Sequence, residues 1–327
     1  MTTRRTLLIS LGAGALVAPL AVVAQRQAKV PRVAYASGRA GPPDPSREAI
    51  RQGLRELGYV EGKTIEFESH YFGDRMDQIP GAMADLVRKI DVLVAASPPV
   101  IEAARRATAA VPIVIVMTQD PVAAGLVASL ARPGGNITGV SRLVRELSGK
   151  RLELLREIMP KVSRVAVLWD AGEKVAVQGY HDYAAAARIL KIELLPLEVR
   201  RPKADLEGAF RAAVKGRADA LVTIRNTFLL GYSRQIAEFA VKHRLPSMYE
   251  GSEFIEAGGL ISYSPNDNES FKRSAVFVDK ILKGARPADL PIEQASEFEL
   301  VVNLKSAKAM GLAIPKDFLL RAHRVIE

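Results

Sequence analysis

Past residue 30, short runs rich in apolar and β-branched residues alternate with stretches whose apolar positions recur at helical spacing. That alternation predicts parallel sheets with crossover helices. In the first half the pattern predicts strands at 32–37, 64–71, 91–97, 113–118 and 136–141. Helices fall between them at 46–57, 77–89 and 100–109, with a short one at 122–130, and breaks come at Gly58 and before Pro133. The second half repeats the plan, with strands at 164–169, 193–199, 220–224, 247–250 and 260–264. Its helices are near 175–190, 204–214 and 228–243, with a turn at 253–256.

Each half opens with Arg-Val before an apolar run, at Arg32 and Arg164, and each last strand follows a Gly-Gly pair, Gly134-Gly135 and Gly258-Gly259. Two lobes of one architecture account for this. The remainder is a helix at 267–283, a Pro-bounded segment 290–294, a strand at 298–303 and a final helix from Leu304. These are too few elements for a third domain, so they complete the existing sheets. The expected fold is α/β, with two doubly wound parallel-sheet lobes joined by a hinge of three crossings near 142, 266 and 294. Lobe one takes 30–141 plus 267–293, and lobe two takes 142–266 plus 294–327. A cleft between them would close by hinge motion.

Composition narrows the chemistry. The chain has 327 residues, 48% of them hydrophobic, which is globular and near two domains at roughly 150 residues each. It has no cysteine, which excludes disulfides, thiolate metal sites, iron–sulfur clusters and a cysteine nucleophile. Lys and Arg number 46 against 36 Asp and Glu, a net charge of +10. The excess is scattered in pairs such as Arg105-Arg106 and Arg200-Arg201, and only one Trp is present. A basic groove lined with stacking aromatics is absent from this pattern, so nucleic acid is not an expected partner.

At the N-terminus, Arg4-Arg5 precedes an uncharged stretch from Thr6 to Ala24, broken by Gly12, Gly14 and Pro19 and ending in Val22-Val23-Ala24. This is the pattern of a cleavable export signal at 1–24, which implies a periplasmic mature chain with no stable membrane insertion. The Arg pair resembles a twin-arginine signal, while Leu7, where that motif prefers Phe, leaves the ordinary secretory route open. Two glycine motifs are decoys. Gly12-Ala-Gly14 lies in the segment to be removed, and Gly58-Tyr-Val-Glu-Gly62-Lys63-Thr64 has three spacers where a phosphate loop needs four.

The run Asp120-Pro-Val-Ala-Ala-Gly-Leu-Val-Ala-Ser-Leu-Ala-Arg-Pro-Gly-Gly-Asn-Ile-Thr-Gly139 resembles the signature of the ABC transporter substrate-binding family that includes TrpX-like proteins. So do Lys150-Arg-Leu-Glu-Leu-Leu155, Gly258-Gly-Leu-Ile-Ser-Tyr263, the segment from Ile281 to Gln294, and Phe298 to Leu312. The resemblance implies a type I periplasmic binding protein fold, capture of a small aromatic or amino-acid-like solute, delivery to an ABC permease at the inner membrane, and no catalysis or cofactor. Relatives usually carry Gly-Thr-Pro-Ala-Ala after the third strand, opening a helix whose N–H groups hold an anion. Here the segment is Ser97-Pro98-Pro99-Val100, and two prolines remove two donors. After the fourth strand, where relatives often have Gly-Asp-Pro-Val, this chain has Thr118-Gln119-Asp120-Pro121-Val122.

Ligands of open parallel sheets sit at the carboxyl ends of the strands, which gives a candidate list by position. Lobe one offers Ser37 and Arg39, Tyr71, Ser97, and Thr118 with Gln119 and Asp120. Lobe two offers Trp169 and Asp170, Arg225 and Asn226, and Tyr249 with Glu250, while Tyr263 lies near a crossing. Trp169 at a strand end could stack on a flat ligand or pack the lobe. Asp120 before Pro121 could read a ligand or cap a helix. Arg39 and Arg225 could each fork onto a carboxylate. The four histidines fall on different elements with no second ligand at metal spacing, so no metal site and no catalytic group is expected. The alternatives are a periplasmic sensor docking on a receptor and, less favoured, an enzyme on the same fold.

Overall fold

The computed structural model describes residues 29–73, 75–142 and 147–327. The export signal predicted at 1–24 lies outside the described residues.

The first half forms β1 (Arg32–Ser37), β2 (Glu66–Tyr71), β3 (Val92–Ala96), β4 (Ile113–Met117) and β5 (Ile137–Ser141), all parallel, in the spatial order β2-β1-β3-β4-β5. The second half forms β6 (Arg164–Asp170), β7 (Glu193–Val199), β8 (Ala220–Thr223), β9 (Ser247–Tyr249) and β10 (Ile261–Pro265), parallel in the matching order β7-β6-β8-β9-β10. Three short strands follow. β11 (Glu293–Gln294) returns to the first sheet beside β5, whereas β12 (Phe298–Asn303) and β13 (Arg324–Ile326) extend the second sheet beyond β10. The chain therefore passes between the sheets three times.

Both sheets are doubly wound, because their central strands, such as β3 and β4, are apolar on both faces and each face needs a helical layer. On one side of the first sheet lie α2 (Ile79–Leu86) and α3 (Pro98–Ala107), contributing Met83, Leu86, Ile101 and Ala104. On the other lie α1 (Pro45–Glu56) and, from the C-terminal part of the chain, α10 (Asp267–Leu282), whose Phe271, Ala275 and Val278 cover Val33, Tyr35 and Val116. The second sheet is covered on one face by α4 (Ser148–Ile158), α5 (Lys174–Leu190), α11 (Leu304–Met310) and α12 (Lys316–Leu320). Its other face takes α6 (Leu206–Lys215), α7 (Thr227–Leu230), α8 (Ser233–Lys242) and α9 (Glu253–Glu256). Asp44, Asp205, Asn226, Asn266 and Asn303 cap α1, α6, α7, α10 and α11, each accepting a backbone N–H from the first turn. In β5, Gly139 has φ +136, and a Cβ there would stand 2.2 Å from the Ile115 carbonyl oxygen, so no other residue fits.

The final helix predicted from Leu304 is two short helices, α11 and α12, followed by β13, and four further elements differ from the sequence expectation. The helix predicted at 122–130 is a series of turns, because Gly125 at φ +66 closes a bond from Leu126 N–H to the Pro121 carbonyl and turns the chain away. The helix predicted at 228–243 is broken at Gly231 into α7 and α8. α4 was not expected, since its buried stripe of Ser148, Arg151, Leu152, Leu155 and Ile158 contains a charge. Finally, β12 runs antiparallel to β10, the one antiparallel pair among the described strands.

Candidate ligand-binding cleft

In a sheet of order 2-1-3-4-5, the crossovers leave β1 in opposite directions toward β2 and β3, which opens a crevice at the carboxyl ends of β1 and β3. The second sheet has the same crevice between β6 and β8. Both open onto one cavity. The first sheet supplies Ser37 and Arg39 after β1, Ser97 and Pro98 after β3, and Thr118 and Gln119 after β4. The second supplies Glu173, Val175, Ala176 and Gly179 after β6, then Ile224, Arg225 and Asn226 after β8. Tyr35 and Phe271 form an aromatic floor, edge to face at 6.4 Å.

The wall of the first sheet is rigid at one point. Ser97, the residue before α3, has φ +86, and its Oγ accepts the Gly38 N–H at 3.1 Å, tying the β3 loop to the β1 loop. A non-glycine residue held there carries strain of about 1–3 kcal/mol. Pro98 and Pro99 occupy the first two helical positions of α3, so the first backbone N–H available there belongs to Val100. Recognition on this wall therefore falls to side chains. The Gln119 amide nitrogen is buried with no hydrogen-bond partner among the described residues, and it lines the cavity.

Arginines dominate the electrostatics. Arg142, just after β5, is almost fully buried over the Phe271 ring at 5.7 Å and donates to Asp267 at the start of α10. Arg225 donates to the other Asp267 oxygen at 2.6 Å and to Glu253 at 2.5 Å, and its backbone N–H reaches Glu250 at 3.0 Å. Burial alone would raise the Asp267 pKa, but the two guanidiniums outweigh it and hold the carboxyl below the ordinary Asp range. Burial of Arg225 is likewise overcome by Asp267 and Glu253, which strengthen its positive charge. Arg39 is less engaged: its guanidinium lies 3.7 Å from both Asp44 and Glu253. Asp267 and Arg39 belong with the first sheet and Arg225 and Glu253 with the second, so the Arg225–Asp267 and Arg39–Glu253 pairs join the lobes across the cavity.

Deeper in the second lobe, fully buried Arg151 on α4 donates to Glu250 at 3.0 Å and to the Tyr263 carbonyl at 2.8 Å, while the Tyr183 hydroxyl donates to Glu250 at 2.9 Å. Beside this, Asn226 uses its side-chain oxygen to cap α7 through Leu229 N–H at 2.8 Å. Its amide nitrogen is thereby turned onto Asp170 at 3.1 Å and Glu173 at 2.5 Å.

Of the residues chosen from the sequence, Ser37, Arg39, Ser97, Thr118, Gln119 and Asn226 lie together on the cavity wall, as do Arg225 and Glu250. The other six do not line it. Trp169 points to the helical face of β6 and stacks on Tyr180 at 5.1 Å within the core. Tyr249 is fully buried on the opposite face, stacked on Phe254 at 4.8 Å. Tyr263 stacks on Phe298 at 6.0 Å. Tyr71 packs edge-on against Tyr35, and burial together with the Asp44 charge pushes its hydroxyl up to about 12. Asp120 caps the turn after β4 through the Val122 N–H at 2.8 Å. Asp170 is buried and holds Gly172 N–H, Asn226 and Arg201. Sequence reading missed Glu173, Arg142, Gly179 and Phe271. The first two could have been found by position, since Arg142 immediately follows a strand and Glu173 opens the helix after β6 at the crevice.

A family model described as ABC transporter substrate binding protein matches residues 43–326. A tyrosine-binding protein of Clostridioides difficile is 24% identical over 273 residues, covering 82% of this chain and 77% of that protein. Among solved structures, a conserved domain protein from Vibrio cholerae superposes with a TM-score of 0.82 at 28% identity, covering 91% of this chain and all of that one. A Streptococcus pneumoniae ABC domain in complex with L-Trp superposes with a TM-score of 0.77 at 24% identity, covering 90% of this chain and all of that one.

Proposed function

Because the chain belongs to the family of ABC transporter substrate-binding proteins, we propose that its cavity captures an amino-acid-like solute with a flat side chain and that the closed form delivers it to a membrane permease. The observation that carries this reading is the single cavity framed by the crevices of both sheets, so that one ligand must satisfy both lobes at once. A ligand that touches both walls binds the closed arrangement better than the open one, and that difference drives closure. The cavity is polar around Arg39, Arg142 and Arg225 and apolar around Val175, Ala176, Ile224 and Leu230, a division that suits a charged head and an aromatic body. Tyrosine and tryptophan, named for the two relatives above, belong to that class. The site of action is outside the cytoplasmic membrane, with residues 1–24 as the export signal.

Native mass spectrometry of the mature chain, before and after partial unfolding, tests the capture reading. A small molecule released on unfolding, of amino-acid or arylalkanoic mass, is the expected result. A thermal-shift series with tyrosine, tryptophan and their deaminated acids follows. The reading fails if no member raises the melting temperature and no ligand co-purifies.

A further inference from the structure

We propose that Glu173 receives a cationic group of the bound solute, an ammonium in the amino-acid-like class, on the wall built by the second sheet. This rests on the capture reading above and adds which end of the ligand the second lobe reads.

The other acids around the cavity each have a cationic partner. Asp44 has Arg39 at 3.7 Å, Glu250 has Arg151 at 3.0 Å, and Asp170 has Arg201 at 3.4 Å. Glu253 and Asp267 share Arg225 at 2.5 and 2.6 Å. Glu173 lines the same cavity, yet its carboxylate has no ion pair among the described residues and receives one hydrogen bond, from the neutral Asn226 amide. That amide cannot turn away, because its oxygen is fixed as the α7 cap, and it divides its two N–H groups between Glu173 and Asp170. Nor does Glu173 serve its own helix, for it stands at the N-cap of α5 without a side-chain capping bond. A carboxylate has room for about four hydrogen bonds, so most of this one's capacity is open toward the cavity.

The neighbours offer no relief. Arg225, next in sequence to Asn226, is turned to Glu253 and Asp267. Arg201 acts on Glu173 from beyond ion-pair distance, while burial and the nearby Asp170 charge push the carboxyl above its ordinary pKa despite Asn226. A partly buried acid in that position costs stability in the empty protein and gains when a ligand brings the missing cation. On the same helix, Gly179 lines the cavity, and a Cβ there would stand 3.2 Å from Ile224 Cγ2, so the absent side chain is what lets Ile224 pack against the wall.

The test is calorimetry of the mature chain and its Glu173→Gln variant with two matched pairs at neutral pH: tyrosine against 3-(4-hydroxyphenyl)propionate, and tryptophan against indole-3-propionate. The expected result is that the wild type favours the amine-bearing member of a pair by about tenfold or more, the scale of a charge-assisted hydrogen bond. Glu173→Gln should abolish that preference, weaken the amino acid, leave the deaminated acid within about twofold, and melt at or above the wild type in the empty state. The proposal is overturned if the variant keeps the preference, if both members of a pair weaken equally, or if the empty variant melts well below the wild type. Equal binding of both members by the wild type removes the role of Glu173 while leaving solute capture intact. Binding of none of the four removes the ligand class and this inference together.

Discussion

Replacing Arg151 with Met removes the guanidinium while keeping a long apolar side chain in its place. The fully buried arginine donates to Glu250 at 3.0 Å and to the Tyr263 carbonyl at 2.8 Å, so its loss strands one buried carboxylate and one strand carbonyl. Glu250 keeps the Tyr183 hydroxyl and the Arg225 N–H, neither of which carries charge to neutralise it. Breaking one side of a buried pair costs about 3–5 kcal/mol. In a body the size of the second lobe, at about 2–4 °C per kcal/mol, the melting temperature should fall by roughly 6–20 °C. Urea unfolding of Arg151→Met, Glu250→Gln and the double variant is the assay. Because Gln removes the stranded charge, the double variant should lose less than the sum of the single losses. A loss below about 1 kcal/mol for Arg151→Met, or strict additivity in the cycle, would refute the view that this pair organises the lobe.

Three further outcomes are expected. Trp169→Ala should cost about 3–5 kcal/mol of stability through the cavity it leaves beside Tyr180, with ligand affinity of the folded protein unchanged; tenfold weaker binding at unaltered stability would return Trp169 to the site. Arg39→Ala should leave the melting temperature almost unmoved, since its ion pairs are 3.7 Å long, yet weaken carboxylate ligands about tenfold; unchanged affinity by calorimetry would exclude it from recognition. Asp267, held below the ordinary Asp pKa, stabilises the folded chain fully above about pH 4 and loses that contribution as pH falls further. Asp267→Asn should therefore show a shallower acid decline than the wild type, and identical acid slopes would contradict the assignment.

The two-lobe plan was legible because strands such as Ile113–Met117 and Val92–Ala96 are wholly apolar and each is followed by a helix at the right spacing. Half of the candidate site was legible because ligand crevices lie at strand ends whatever the side chains do. What misled the reading was the direction of alternate residues within a strand. Trp169 and Asp170 are neighbours at the end of β6, but one faces the α5 layer and neither reaches the cavity, while Glu173 three residues later does. Helix α4 escaped notice because Arg151 sits in its buried stripe, a charge paired with Glu250, which lies far along the chain. Contacts of that kind have no local signature.

The return of α10 to the first sheet sets an order of events in folding. Tyr59, just past α1, donates to Asp279 on α10 across 220 residues, and Phe271, Ala275 and Val278 cover part of one face of the first sheet. Until α10 has packed, Val114 and Val116 lack the side chains that cover them. Closing so long a loop adds little entropy beyond that of a shorter one, but it delays the contact and leaves apolar surface open until the loop closes. The first lobe thus keeps an adherent apolar face in any folding intermediate that lacks α10, and that face is shielded only once residues 267–282 fold back.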